Sequence, residues 1–167
     1  TMDEIPAIIS DYVAAGKNAM AAGFDGVQVH GANGYLIDQF LRDGTNFRDD
    51  GYGGPVENRI RLLREVTGAL VDTLGSGRVS VRLSPNGETQ GCDDSDPVAL
   101  FGAAAAALDQ IGIAFLELRE QRDFGDFGRT DVPRVSPHIR PLFSGPIILN
   151  QEYDGENCAD DLASGLA

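Results

Sequence analysis

Phe24-Asp25-Gly26-Val27-Gln28-Val29-His30 is a short β-type run, entered from an Ala-rich helical pattern over Ile5 to Ala22. It is left through Gly31-Ala32-Asn33-Gly34-Tyr35. Three further runs repeat the arrangement: Val79-Ser80-Val81-Arg82-Leu83, Ala114-Phe115-Leu116-Glu117-Leu118 and Pro146-Ile147-Ile148-Leu149-Asn150. Helical patterns separate them. Val56, Ile60, Leu63, Thr67, Leu70 and Leu74 recur at helical spacing between Pro55 and Gly75, so one helix is predicted over Val56 to Leu74. On its other face Arg61 is spaced to pair with both Glu57 and Glu65. A second helix is predicted from Asp96-Pro97 to Gln110, closed by Gly112; a shorter one covers Ser136 to Phe143, and a last one begins near Glu156.

Strands alternating with helices specify a parallel β/α architecture with right-handed crossovers. No G-x-G-x-x-G follows any strand, which disfavours a dinucleotide-binding sheet and leaves a (β/α)8 barrel. In a barrel, function gathers in the loops after the strands. This chain places its unusual polar residues there: His30 to Tyr35, Ser84 to Asp96, and Glu120 to Val135. Four β/α units are about half a barrel, so residues 1–167 are expected to form one partial barrel domain with two bare sheet edges and a bare apolar face. The helical start at Thr1 and the stop at Leu166-Ala167 also read as a piece of something longer.

The composition narrows the function classes. The chain has 167 residues, 42% of them apolar and 23% charged, which suits one globular domain. Its net charge of −13 would repel phosphate backbones and anionic headgroups, so neither a nucleic acid nor a membrane surface is an expected partner. No apolar run approaches a membrane span and no secretory leader pattern appears, making a reducing cytoplasm the default location. Cys92 and Cys158 lie far apart in polar contexts, with no spacing that implies zinc or a disulfide framework. Two histidines are too few for a multi-histidine metal site, and no nucleophile elbow is present. Asp93-Asp94-Ser95-Asp96 lacks the glycine and closing Glu of a calcium loop, so it reads as a helix cap.

Four residues stand out. His30 ends a strand, and Gly31 and Gly34 permit a turn that brings Asn33 to the same side. Imidazole and carboxamide N–H groups are neutral donors, suited to a carbonyl or nitro oxygen that gains charge during reduction. Tyr35 adds a phenolic O–H, a weak acid suited to protonating a carbanion-like centre. Spacing alone favours a structural role instead, with His30 satisfying buried backbone, Asn33 capping the next helix and Tyr35 packing. Arg82 sits alone among Val79, Val81 and Leu83; a guanidinium there needs a partner, either an acid of this chain or an anionic ligand. Arg48 and Asp50 read as a loop lock, followed by Asn58 and Arg59 on the next helix.

Several linked motifs, in order along nearly the whole chain, resemble the Old Yellow Enzyme family of FMN-dependent ene-reductases. They are Ala22-Gly23-Phe24-Asp25-Gly26-Val27, His30-Gly31-Ala32-Asn33-Gly34-Tyr35-Leu36, Asp38-Gln39-Phe40-Leu41, the run Asn46-x-Arg48-x-Asp50-x-Tyr52-Gly53-Gly54, Glu57-Asn58-Arg59 and Arg82-Leu83-Ser84-Pro85. The resemblance implies a (β/α)8 barrel whose fourth to seventh strands lie here. It implies that His30 and Asn33 hold the electron-withdrawing oxygen of a small-molecule substrate and that Tyr35 delivers the proton. It also implies that Arg82 lies beside the pyrimidine end of FMN, which NADH or NADPH reduces in a ping-pong cycle. With Asn33 at its position, the motif looks closest to bacterial members acting on nitrate esters, N-substituted maleimides and activated enones. Leu149-Asn150-Gln151 departs from the glycine that many relatives carry for the flavin phosphate, and the family's early strands and eighth strand fall outside the chain. Two rivals remain: a non-catalytic half-barrel that assembles with a partner, and another phosphate-binding barrel enzyme.

Overall fold

The four apolar runs form four parallel strands paired in chain order: β1 (Val27–Gly31), β2 (Val79–Leu83), β3 (Leu116–Arg119) and β4 (Ile147–Asn150). The computed structural model describes residues 1–121, 130 and 132–167. Most of the loop expected to carry function between Glu120 and Val135 therefore lies outside the described residues. The helices are α1 (Ile5–Ala21), α2 (Leu36–Leu41), α3 (Val56–Arg59), α4 (Arg61–Leu74), α5 (Pro97–Ile111), α6 (Ser136–Ile139) and α7 (Gly155–Ala163). No helix among the described residues is long and apolar enough to cross a membrane.

Alternation along the strands decides the layers. Val29, Val79, Val81, Leu83, Leu116, Leu118 and Ile147 share one face and join a core with Leu62, Leu63, Val66 and Leu70 of α4 and Leu100, Phe101, Ala104 and Leu108 of α5. The other face carries Gln28 and His30, Ser80 and Arg82, Glu117 and Arg119, then Ile148 and Asn150. Core helices on one face only are what a barrel wall requires, whereas a doubly wound sheet is covered on both. The open face is thus polar and charged, not apolar as the half-barrel argument predicts. The apolar parity of each strand is spent on the helices, and what remains is the parity that lines a barrel's interior.

Three boundaries differ from expectation. Phe24 is exposed and its N–H still donates to Ala19 O at the exit of α1 (3.1 Å), so β1 begins only at Val27. The helix predicted over Val56 to Leu74 divides at Ile60, although Ile60 N–H still donates to Val56 O (3.0 Å) and Arg64 N–H to Ile60 O (3.1 Å). The shorter helix passes from α6 into a 3-10 turn at Arg140–Leu142, where Pro141 supplies no N–H to continue an α-helix. Asp96 caps α5 as expected, accepting from Ala99 N–H at 3.0 Å, and Gly112 closes it at φ 76°.

The locking residues behave as their types suggest. Arg48 pairs with Asp50, and Asn58 Nδ2 donates to Gly53 O (3.0 Å). Buried Arg59 reaches Gly54 O (3.0 Å), Leu41 O (2.7 Å) and the Asp94 carboxylate, tying the long loop to the residues before α5. Of the two pairs expected for Arg61, only that with Glu65 forms (2.7 Å). Its guanidinium stacks 4.5 Å over the Tyr52 ring, whose hydroxyl donates to Glu65 (2.7 Å); that cluster draws Arg61 away from Glu57.

Candidate active site

The register brings the predicted residues together. His30 is the Cα partner of Arg82, and Arg82 that of Glu117, so a neutral base, a cation and an acid sit side by side across three strands on the open face. Glu117 organises this row: it accepts from Gln28 Nε2 at 2.9 Å and lies 3.2 Å from Arg82 Nε. That last contact is off the N–H axis, making it a charge contact; Arg82 Nε is buried with no hydrogen-bond partner among the described residues. Arg82 Nη2 reaches Asn150 Oδ1 at 3.4 Å, a long contact. The sequence leaves the Arg82 partner open between an acid and a ligand. The structure supplies an acid and still leaves one donor unspent.

Burial, and then the Arg82 guanidinium, hold the His30 imidazole below its usual value, against a weaker upward pull from Asp38 and Glu117. His30 is therefore a neutral N–H donor at neutral pH. Among the described residues it makes no hydrogen bond to buried backbone, so the structural role that spacing favours for it is not the one observed there. Tyr35 is largely exposed, and its ring centroid lies 5.3 Å from that of His30.

Asn33 does not cap α2 either, because the N-cap position belongs to Tyr35. Asn33 adopts φ 59°, its N–H donates to Ser84 Oγ (2.8 Å), and its carbonyl accepts from Gln90 Nε2 (3.0 Å). Its side-chain Oδ1 accepts from Arg119 Nη1 (3.2 Å). The turn is held from below by Asp38, a fully buried carboxylate that accepts from Gly34 N–H (2.8 Å) and pairs with Arg42 Nε (3.0 Å). Arg42 in turn donates to Ser84 O and lies 5.0 Å from the Phe101 ring centre. Gly34 sits at φ 76°, where a Cβ would come within 2.6 Å of Thr89 O; this close approach excludes any other residue.

Arg119, Glu117 and Asp38 were not singled out from sequence. A signal existed for the first two, since Leu116-Glu117-Leu118-Arg119 alternates charge with leucine as sharply as the strand holding Arg82. Burial, and then Arg82, lower the Arg119 pKa, which marks two guanidinium groups as neighbours at this mouth. Nothing local reveals Asp38. The loop from Ser84 to Asp96 serves mostly as framework. Asn86 takes Gln121 N–H on its Oδ1 (2.8 Å) and donates through Nδ2 to Gln121 O (2.9 Å) and Val132 O (3.2 Å); Cys92 is buried and free.

A polar row at the ends of parallel strands, with paired guanidinium groups and a neutral imidazole, suits an electron-rich planar cofactor and a polarised oxygen. The family model described as NADH:flavin oxidoreductase / NADH oxidase matches residues 1–164. The chain belongs to this FMN-dependent family. Among curated proteins it is 42% identical over 166 residues to 12-oxophytodienoate reductase 1 of Oryza sativa subsp. japonica, covering 99% of this chain and 44% of the relative. Among solved structures, the old yellow enzyme homologue from Zymomonas mobilis is 54% identical with TM-score 0.98, matching all of this chain and 47% of that one. Morphinone reductase in complex with tetrahydroNAD is 38% identical with TM-score 0.90, with coverage of 100% and 44%. The chain thus spans about half the length of these relatives, and its sheet is about half of an Old Yellow Enzyme-type (β/α)8 barrel. The residues present fit the pyrimidine end of a flavin, for Arg82 puts a cation on the open face of the sheet, and its Nε has no hydrogen-bond partner among the described residues.

Proposed function

We propose that this chain is the substrate-gripping half of an NAD(P)H-dependent ene-reductase acting on activated alkenes, nitrate esters or nitro compounds. The observation that carries the reading is His30 in register beside Arg82, with the Tyr35 ring 5.3 Å from the imidazole and Asn33 in the turn between them in sequence. FMN, when bound, supplies the hydride chemistry. Arg82 would lie beside its pyrimidine end and would favour negative charge there. His30, kept neutral, and the Asn33 carboxamide donate to the substrate oxygen, and their grip strengthens as that oxygen gains charge. Tyr35 gives its proton to the carbon opposite the hydride. The solved complex of morphinone reductase with tetrahydroNAD supports a nicotinamide donor.

Tyr35→Phe in the complete flavoprotein tests this. Alkene reduction should fall by about 10²-fold or more, while flavin reduction by NAD(P)H persists, as expected when a general acid is removed from one half-reaction. Equal loss in both half-reactions would remove Tyr35 from the proton-donor role.

A further inference from the structure

We propose that Arg119 is a positioning residue for Asn33, fixing which way its carboxamide faces and so making it a hydrogen-bond donor to the substrate. The inference rests on Asn33 as a substrate ligand and adds the group that sets its polarity. A guanidinium carries donors and no acceptor, so the Asn33 atom 3.2 Å from Arg119 Nη1 is Oδ1. The Asn33 backbone cannot swing to compensate, because its N–H is held by Ser84 Oγ (2.8 Å) and its carbonyl by Gln90 Nε2 (3.0 Å). Nδ2 is then the one hydrogen-bonding group of Asn33 without a partner among the described residues, and it is turned away from Arg119.

Without the cation, the carboxamide is free to rotate by half a turn and present Oδ1 to the substrate. An oxygen lone pair facing a developing oxyanion is repulsive where an N–H is attractive. The guanidinium also draws electron density through the amide, which strengthens Nδ2–H as a donor. Arg119 comes from β3 and Asn33 from the turn after β1, so the strand order itself sets this contact. Arg119 Nε also donates to Gln151 Oε1 (2.8 Å), which offers a purely structural role as a tie between the turns after β1 and β4.

A mutant cycle separates the two. In the complete, flavin-loaded protein, kcat/KM for 2-cyclohexen-1-one is measured for Arg119→Met, Asn33→Ala and the double variant, with Arg119→Ala as the second truncation should Arg119→Met fail to hold flavin. Each single change should lower kcat/KM by about tenfold, and the double variant should fall no further than Asn33→Ala alone, the non-additivity expected of groups acting as one. Arg119→Lys, which keeps a cationic donor, should recover part of the loss. Additive losses would overturn the inference, as would an Arg119 truncation that leaves kcat/KM unchanged while Asn33→Ala lowers it. Unchanged kcat/KM in Asn33→Ala would instead sink the assignment of Asn33 as substrate ligand, and this inference with it.

Discussion

His30 shows how much chemistry a single environment sets. The residue type offers a titration near neutral pH, and burial together with Arg82 moves it down, so the imidazole is neutral under ordinary conditions. Protonating it costs more in the folded state than in the unfolded chain, so this site contributes stability that is present above the ordinary value of 6.5 and lost as pH falls through the lower folded value. Urea midpoints measured from pH 7 down to pH 5 should therefore fall less steeply for His30→Gln than for the parent. Parallel slopes would show that His30 titrates at its ordinary value. The substrate grip should likewise be flat with pH above 6.5, since the donor is already neutral there. Arg82 belongs to the same scale: its oddity in an apolar strand is legible from sequence, but Glu117 as its partner is not.

Among the elements, the turn from β1 into α2 is the one on which the site depends. Its shape comes from Asp38, which meets the Gly34 N–H, the Arg42 guanidinium and, at 3.4 Å, the Ser84 hydroxyl, all buried. Asp38→Asn keeps the shape and removes the charge, leaving Arg42, only 2% exposed, as an uncompensated cation. Breaking such a pair costs about 3–5 kcal/mol. Urea unfolding of the complete protein should show a loss of that order, and a change under about 1 kcal/mol would mean Arg42 is satisfied without Asp38. The sequence makes α4, α5 and β2 readable because their apolar spacing is local and regular. It hides the break at Ile60 and the late start of β1; the latter is set by a helix exit, where Phe24 N–H still donates to Ala19 O.

At the scale of the whole molecule, helices on one side and a polar row on the other make this chain a barrel wall with its lining exposed. The residues here that fit a flavin fit its pyrimidine end, and the chain spans about half the length of its relatives. The isolated chain should therefore retain little or no flavin after dialysis, measured by its visible absorbance against bound protein; a stoichiometric yellow spectrum would show that this half suffices. The parity of each strand explains why the bare face is charged. Apolar residues go to the helices, and the alternate positions are left for ligand chemistry.

The sequence by itself determined the order of strands and helices, the half-barrel extent, the family and the residue types at the site, because hydrophobic period and linked motifs are written locally along the chain. It did not determine which atoms meet. Asn33 and Arg119 are 86 residues apart and Asp38 and Ser84 are 46, and only the parallel register brings each pair within contact. Orientation of a carboxamide, neutrality of an imidazole and an unspent guanidinium donor are properties of those contacts, decided when strands align and water leaves.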